Sequence, residues 1–294
     1  MRDSITLDRI ANSIILRKDK YENFILVEGT LDRLFFLKYK KENTQIELAF
    51  GWENLIILME KLKERDYYKT IGIIDKDLRN IVPLEIELDE DIIETDSHDI
   101  NILTIDKTFE IIFQSNYSPE KTEKFKENNN VACVKMHTYD MVEKVFYLRL
   151  LNFRENLHLS FKSKENVKNK LDFSKFINKD SYQFISLEKM IETITNFSRG
   201  KTSEKIINND IILDKLVNLM ETEKYDNTIC INGHDFSEAI CIGLKKTVGS
   251  RDVEPESFLK DCILAYDGED FVKTEMYAKI KKLEYKKQLQ FLRI

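Results

Sequence analysis

The residues of this chain best suited to chemistry are carboxylates that follow short apolar runs. They are Glu28, Asp75, Asp77 and Asp96. Side chains alternate along an extended segment, so Asp75 and Asp77 face one point while Lys76 between them faces away. Carboxylates gathered at one point repel each other unless a cation joins them. Because oxygen ligands suit Mg²⁺ or Mn²⁺, the pattern predicts a metal site that supports in-line displacement at phosphorus.

The runs that carry these acids predict a parallel sheet. Four short strands are indicated, at 24–27, 44–50, 70–74 and 92–95. The runs 24–27 and 70–74 are continuously apolar, which is typical of strands buried on both faces. Apolar residues at helical spacing follow the first strand, at Leu31, Leu34 and Phe35. Strands that alternate with helices predict right-handed crossovers, and such sheets bind ligands at the carboxyl ends of their strands.

The character of the chain changes after residue 100. Apolar residues recur at helical spacing over 102–113, 141–153, 187–197, 208–220 and 275–292. We therefore predict an α/β domain over 1–115 and a helix-rich region over 116–294. The apolar run 227–232 predicts one late strand, which joins the same sheet or forms a small separate one. The apolar face of the last helix predicts docking of a partner or of a second copy.

Composition limits the class of protein. The chain has 294 residues, 42% of them hydrophobic and 33% charged, as in a folded globular protein rather than a disordered one. No apolar run approaches the roughly 20 residues that span a bilayer, and no apolar signal core follows Met1, so we expect a cytoplasmic protein without a membrane partner. The four cysteines form no Cys-x-x-Cys pair, which favours buried thiols over a zinc site. The net charge of −6 neither indicates nor excludes nucleic acid, because local basic patches decide that contact.

The order of these motifs resembles the Toprim superfamily, in which a glutamate ends one strand and an Asp-x-Asp pair ends a later one. This match covers roughly residues 20 to 115. Four segments also occur in the order seen in a bacterial Toprim-like family that includes the effector of PARIS-type anti-phage systems: VEGTLD at 27–32, IIDKD at 73–77, TDSHDI at 95–100 and NGHD at 232–235. On this second comparison the resemblance extends over nearly the whole chain.

The resemblance implies a Toprim-like fold and metal-dependent cleavage of phosphodiester bonds. It carries over Glu28, Asp75 and Asp77 as metal or acid–base residues and Asp32 as a further candidate. In the PARIS-type case it also implies attack on host tRNA and an ABC-type ATPase partner. Other RNA or DNA remain open as substrates, and so does a homo-oligomer. The chain is short for a topoisomerase and lacks the cysteine-based zinc module of a primase.

Further candidates are weighed against ordinary structural roles. His98 could take part in catalysis or cap a helix, and Asp96 and Asp99 beside it could be metal-site residues or helix caps. Asp32 could equally be stabilised by the dipole of the helix in which it lies. His234 and Asp235 are predicted to support the site from the turn after the late strand.

Four basic residues are candidates for phosphate contact. They are Arg79, Lys76, Lys162 and Lys164. A solvated surface is the ordinary alternative for each of them.

Three function classes follow. The first is a Mg²⁺-dependent nuclease, favouring RNA and tRNA in particular, whose toxicity a partner or its own oligomeric state restrains. The second is a non-catalytic module that binds a metal structurally and docks on an ATPase. The third is a phosphatase or nucleotide-processing enzyme that uses the same acids on small phosphates.

Overall fold

The computed structural model describes residues 6–79, 81–82, 87–161, 170–199, 201–202 and 204–294. The strands are β1 (Asn23–Val27), β2 (Thr44–Leu48), β3 (Thr70–Ile74) and β4 (Ile92–Glu94). The helices are α1 (Leu7–Leu16), α2 (Thr30–Leu37), α3 (Trp52–Lys63), α4 (Ile100–Asn116), α5 (Pro119–Asn129), α6 (Val134–Glu155), α7 (Leu187–Arg199), α8 (Asn209–Thr222), α9 (Asn227–Cys230), α10 (Gly233–Lys246), α11 (Pro255–Ala265), α12 (Gly268–Phe271) and α13 (Glu275–Lys287), with a short 3-10 helix at Phe173–Lys175. No helix in these described ranges is long and apolar enough to cross a membrane.

The four strands form one parallel sheet in the order β2-β1-β3-β4. This confirms the predicted α/β class with a parallel sheet flanked by helices and a largely helical remainder. Val27 pairs with Leu48 on one side and with Ile73 on the other, so the strands end almost level. The residues that follow them, Glu28 and Asp75 among them, therefore share the carboxyl edge of the sheet.

Burial on both faces explains the continuous apolar runs. All five residues of β1 and all five of β3 are buried. On one face Phe24 and Leu26 of β1 belong to a core with Ile14 of α1 and Leu58 of α3. The chain moves from β1 to β2 in one direction and from β2 to β3 in the other. Right-handed crossovers therefore place α2 and α3 on opposite faces.

The chain divides into two compact units. The first comprises the chain up to Thr108 together with Lys260–Ile294, and the second is Phe109–Leu259. This differs from the predicted division at residue 115, because the first unit is discontinuous in sequence. Residues after α13 return to the sheet: the Lys41 N–H donates to the Phe291 carbonyl at 2.8 Å. The buried Glu284 carboxylate accepts the Phe291 and Leu292 N–H groups at 2.6 and 2.8 Å.

The predicted docking face of the last helix is buried within the first unit. Met276, Ile280 and Leu283 of α13 are each less than a tenth exposed. These apolar residues therefore contribute to a core instead of offering a surface to a partner. The apolar pattern was a sign of burial, which periodicity alone does not distinguish from docking.

The prediction of a strand over 227–232 is wrong. Residues Asn227–Cys230 form one helical turn, α9, and extended backbone follows at Ile231. The Asp226 side chain caps this turn by accepting the Thr228 N–H at 2.8 Å. The Asp226 carbonyl accepts the N–H groups of Ile229 and Cys230 at 3.0 Å. A capping aspartate one residue before the apolar run is the sequence signal that outweighs β-branched composition here.

Gly72 in β3 tests how closely α3 packs on the sheet. A Cβ at this position would lie 2.5 Å from Leu55 Cδ2. We expect Gly72→Ala to lower the free energy of unfolding by about 1–3 kcal/mol, because Leu55 must leave its place in the core. Gly268→Ala is the matched control, since its Cβ would meet nothing closer than 3.6 Å. Urea unfolding measures both, and equal stabilities of the two variants would contradict this close packing.

Candidate functional site

The site is built where β1 and β3 end. Glu28 directly follows β1, and its Oε1 accepts the backbone N–H of Asp75, directly after β3, at 2.9 Å. This bond fixes the glutamate carboxylate against the neighbouring strand end. The next residue, Gly29, donates its N–H to Asp32 Oδ2 at 2.7 Å, which orients the Asp32 carboxylate at the start of α2. Two carboxylates are thus oriented by backbone N–H groups of the strand ends.

Asp77 is held by the loop that follows β4. Its φ of 47° lies in the left-handed region that non-glycine residues seldom adopt. The Asp77 N–H donates to the His98 carbonyl at 2.8 Å, and His98 Nε2 lies 3.6 Å from Asp77 Oδ1. Thr95 Oγ1 accepts the Lys76 N–H at 3.0 Å and donates to the Ser97 carbonyl at 2.8 Å. The loop therefore holds the backbone of the Asp-x-Asp segment from one side.

The N-terminus of α4 meets the same site. The Ile100 N–H donates to Asp75 Oδ1 at 3.3 Å, and the Ile102 N–H donates to Asp99 Oδ1 at 2.7 Å. The partial positive charge at a helix N-terminus stabilises carboxylates there. Asp99 therefore caps α4, which is one of the two roles predicted for it. Its charge also raises the pKa of Asp75.

Electrostatics show which acids the structure brings together. They are Glu28, Asp32, Asp75, Asp77 and Asp99. Burial raises the pKa of Glu28 to about 7, and the charges of Asp77 and Asp32 add to this. Burial also raises the pKa of Asp32 to about 6, with Asp99 and Asp77 as further causes. The pKa of Asp75 is raised well above its ordinary value by burial and then by its four acidic neighbours. Asp75 is the centre of the group.

Arg79 lies next to this group and is already engaged. Its Nε donates to Glu94 Oε1 at 2.6 Å, and its guanidinium lies 5.8 Å from the ring centre of Trp52. The side chain is only 9% exposed. Its positive charge lowers the pKa of Glu28, opposing the larger effect of burial. Contact with phosphate remains a prediction for Arg79, and likewise for Lys76, whose Nζ donates to the Asp96 carbonyl at 3.4 Å.

Asp96 has a different position from the other acids. Its two carboxylate oxygens accept the N–H groups of Glu275 and Met276, at 2.7 and 2.8 Å, in the first turn of α13. Both oxygens are therefore occupied in holding that helix to the loop after β4. Asp96 therefore acts as a helix cap, but for α13 and not for the adjacent helix start at Ile100 that the sequence indicated.

The acids suit a hard cation in their chemistry. They offer oxygen ligands alone, and Glu28 Oε2 and Asp75 Oδ2 make no hydrogen bond to any described residue. Within the described ranges, no group of three or more acidic, histidine or cysteine side chains is already arranged to hold a metal ion. Mg²⁺ needs only one or two carboxylates and keeps several waters. The residues therefore fit Mg²⁺ or Mn²⁺ held by Glu28, Asp75 or Asp77 rather than a closed protein cage.

Other predicted residues lie elsewhere. Asp235 and His234 belong to the second unit at the start of α10, where Asp235 forms a bidentate ion pair with Arg149 at 2.8 and 2.9 Å. Their support of the acidic site stays a prediction. Lys162 and Lys164 lie outside the described residues. Thr95 was not among the predicted site residues, although it is the first residue of the TDSHDI segment, which was the available signal.

Comparison with known proteins found no protein-family model, no curated protein and no solved structure that matches this chain. The resemblance to Toprim proteins therefore stays a prediction from the sequence motifs.

The raised pKa values of the acids predict how stability depends on pH. The folded chain keeps protons on Glu28, Asp32 and Asp75 that the unfolded chain releases from about pH 4 upwards. The free energy of unfolding of the metal-free protein should therefore fall as pH rises from about 4 to 7. We expect Asp75→Asn to flatten this fall and to exceed the wild type in stability at pH 8.

Thermal unfolding at a series of pH values in EDTA measures this effect. Asp180→Asn is the matched control, because Asp180 is exposed and Lys246 lowers its pKa. A pH profile of Asp75→Asn that coincides with that of the wild type would contradict the mutual repulsion of the acids.

The two bonds from Asp96 to α13 predict a second effect. We expect Asp96→Ala to lower the free energy of unfolding by about 1–2 kcal/mol, as loss of a helix cap does. Asp96→Asn should keep most of this stability, since asparagine also caps helices. Urea unfolding without metal measures both. A stable Asp96→Asn variant that no longer gains thermal stability from Mg²⁺ would make Asp96 a metal ligand instead.

Proposed function

We propose that this chain is a metal-dependent nuclease that cleaves phosphodiester bonds in nucleic acid. The observation that carries the proposal is the convergence of Glu28, Asp75 and Asp77 at the carboxyl edge of a parallel sheet. Parallel sheets bind their ligands at this edge. Crowded carboxylates with oxygen atoms left unbonded are suited to a divalent cation.

The residues then divide the work. Asp75 and Asp77 would hold Mg²⁺ or Mn²⁺, which when bound supplies charge stabilisation for the attacking and leaving oxygens at phosphorus. Glu28 is the candidate general acid or base, because one of its oxygens is fixed by the Asp75 N–H and the other is left to exchange a proton. Asp32 orients the turn after Glu28 through Gly29, and His98 lies against Asp77 and orients it.

The biological role comes from the sequence resemblance alone. It favours RNA, with tRNA first, and a toxic effector of anti-phage defence that an ABC-type ATPase partner releases. Restraint by a partner would also account for survival of the cell that makes such an enzyme.

The first test is cleavage by the purified protein of total tRNA, messenger RNA and plasmid DNA, each with Mg²⁺, Mn²⁺ or EDTA. We expect metal-dependent cleavage that Asp75→Asn with Asp77→Asn abolishes and that Glu28→Gln slows by about 10²–10⁴-fold. The control carries the same chemical changes at two exposed acids, Glu42→Gln with Asp66→Asn, and should cleave like the wild type. Hydrolysis of small phosphate esters without cleavage of nucleic acid would replace the nuclease by a phosphatase.

One observation favours a second candidate, a non-catalytic metal-binding module of an ATPase complex. An aromatic side chain of α13, Tyr285, is 90% exposed, and aromatic residues are enriched where proteins dock on partners. Phage defence separates the two candidates. The module predicts that Glu28→Ala and Asp77→Ala retain defence, and that a surface variant such as Tyr285→Glu, at a side chain 90% exposed on α13, removes it. The nuclease predicts the reverse for the two acids.

A further inference from the structure

A groove runs along the free edge of the sheet in the first unit. It encloses about 390 Å³ and is lined by Arg9, Ser13 and Arg17 of α1, Arg33 of α2, and Gln45 and Glu47 of β2. β2 is an edge strand of the sheet, and among the described residues it pairs with β1 alone. Alternate backbone N–H groups along its outer side therefore meet no strand and are available to a ligand.

The groove is basic although the chain is acidic. Arg17 neutralises Glu47 through an ion pair at 2.7 Å. Arg9 and Arg33 are exposed, and neither guanidinium makes a hydrogen bond or ion pair to a residue that the structure describes. Two uncompensated arginines in a chain of net charge −6 mark a local site for an anion.

The groove ends beside the acidic site. Leu48, which lines it, pairs with Val27, the residue before Glu28. Neighbouring strands lie about 4.8 Å apart, so the carboxyl end of the groove is one strand spacing from the end of β1. Arg33 is the residue after Asp32 in α2, which brings positive charge close to this junction. Phe50 also lines this end of the groove and is 40% exposed.

We infer that this groove binds the sugar-phosphate backbone of a single-stranded nucleic acid and leads it to the carboxylate edge. The inference deepens the proposed function and rests on it for the fate of the strand. Arginine pairs with phosphate in bidentate fashion, and backbone N–H groups donate to phosphate oxygens. An exposed ring beside a basic groove is the arrangement on which single-stranded bases stack.

An acidic peptide added to the edge of β2 is the competing occupant. Glu47 on that edge is neutralised by Arg17, so its charge distinguishes neither occupant. The groove leads to the acidic site. A nucleic acid bound in the groove would reach that site as a substrate, whereas a docked peptide would gain nothing from this path. The geometry therefore favours the nucleic acid.

The test is binding of a fluorescein-labelled single-stranded oligouridylate in EDTA at several salt concentrations, followed by fluorescence anisotropy. We expect Arg9→Gln with Arg33→Gln to weaken binding on the order of tenfold at low salt. The slope of log affinity against log salt should fall by about 1.4, since each phosphate contact on a single strand contributes about 0.7. The control removes two exposed charges elsewhere, Lys69→Gln with Lys124→Gln, and should change neither quantity.

Unchanged affinity and slope in the arginine variant would overturn the inference, and so would tighter, arginine-dependent binding of a labelled polyglutamate peptide. Cleavage by the wild type is measured in parallel with Mg²⁺. If the arginine variant binds and cleaves normally, the proposal for the groove is wrong and the proposal of a nuclease stands. If that variant loses binding while the wild type shows no metal-dependent cleavage, the proposal for the groove stands and the proposal of a nuclease is wrong.

Discussion

Repulsion among buried carboxylates is the constraint around which the sheet unit is arranged. Asp75 sits where the charges of Glu28, Asp32, Asp77 and Asp99 all reach it, and burial increases the effect. Such a group opposes folding at neutral pH and is retained only if the surrounding structure fixes it firmly. The backbone N–H of Asp75, bound to Glu28, is the contact that joins the two strand ends under this repulsion.

The rest of the unit can be understood as support for that edge. Leu55 of α3 packs closely on Gly72 of β3, and the level ends of β1 and β3 bring their acids side by side. The loop after β4 holds two other parts of the unit in place. Through Thr95 and His98 it holds the backbone of the Asp-x-Asp segment, and through Asp96 it holds the first turn of α13. These contacts leave Glu28 Oε2 and Asp75 Oδ2 without a hydrogen bond to any described residue, so these two oxygens remain for a ligand.

Much of this edge could be predicted from the sequence, because local patterns decide it. Continuous apolar runs gave β1 and β3, and a parallel sheet necessarily gathers the residues that follow its strands. The role of Asp96 could not be predicted, because its partners Glu275 and Met276 are about 180 residues away. The strand prediction at 227–232 was wrong for a local reason, because Asp226 caps a helical turn there although β-branched residues favour a strand. Periodicity likewise showed that α13 has an apolar face without showing what covers it.

The discontinuity of the first unit has a consequence for synthesis. Its final segment, Lys260–Ile294, follows the second unit of about 150 residues along the chain. At translation rates of about 5–20 residues per second, roughly 8 to 30 seconds separate the two parts of the unit as they leave the ribosome. During that interval α13 is missing, and Asp96 has no helix to hold. The acidic edge therefore emerges early in each round of translation but gains its full set of contacts only late.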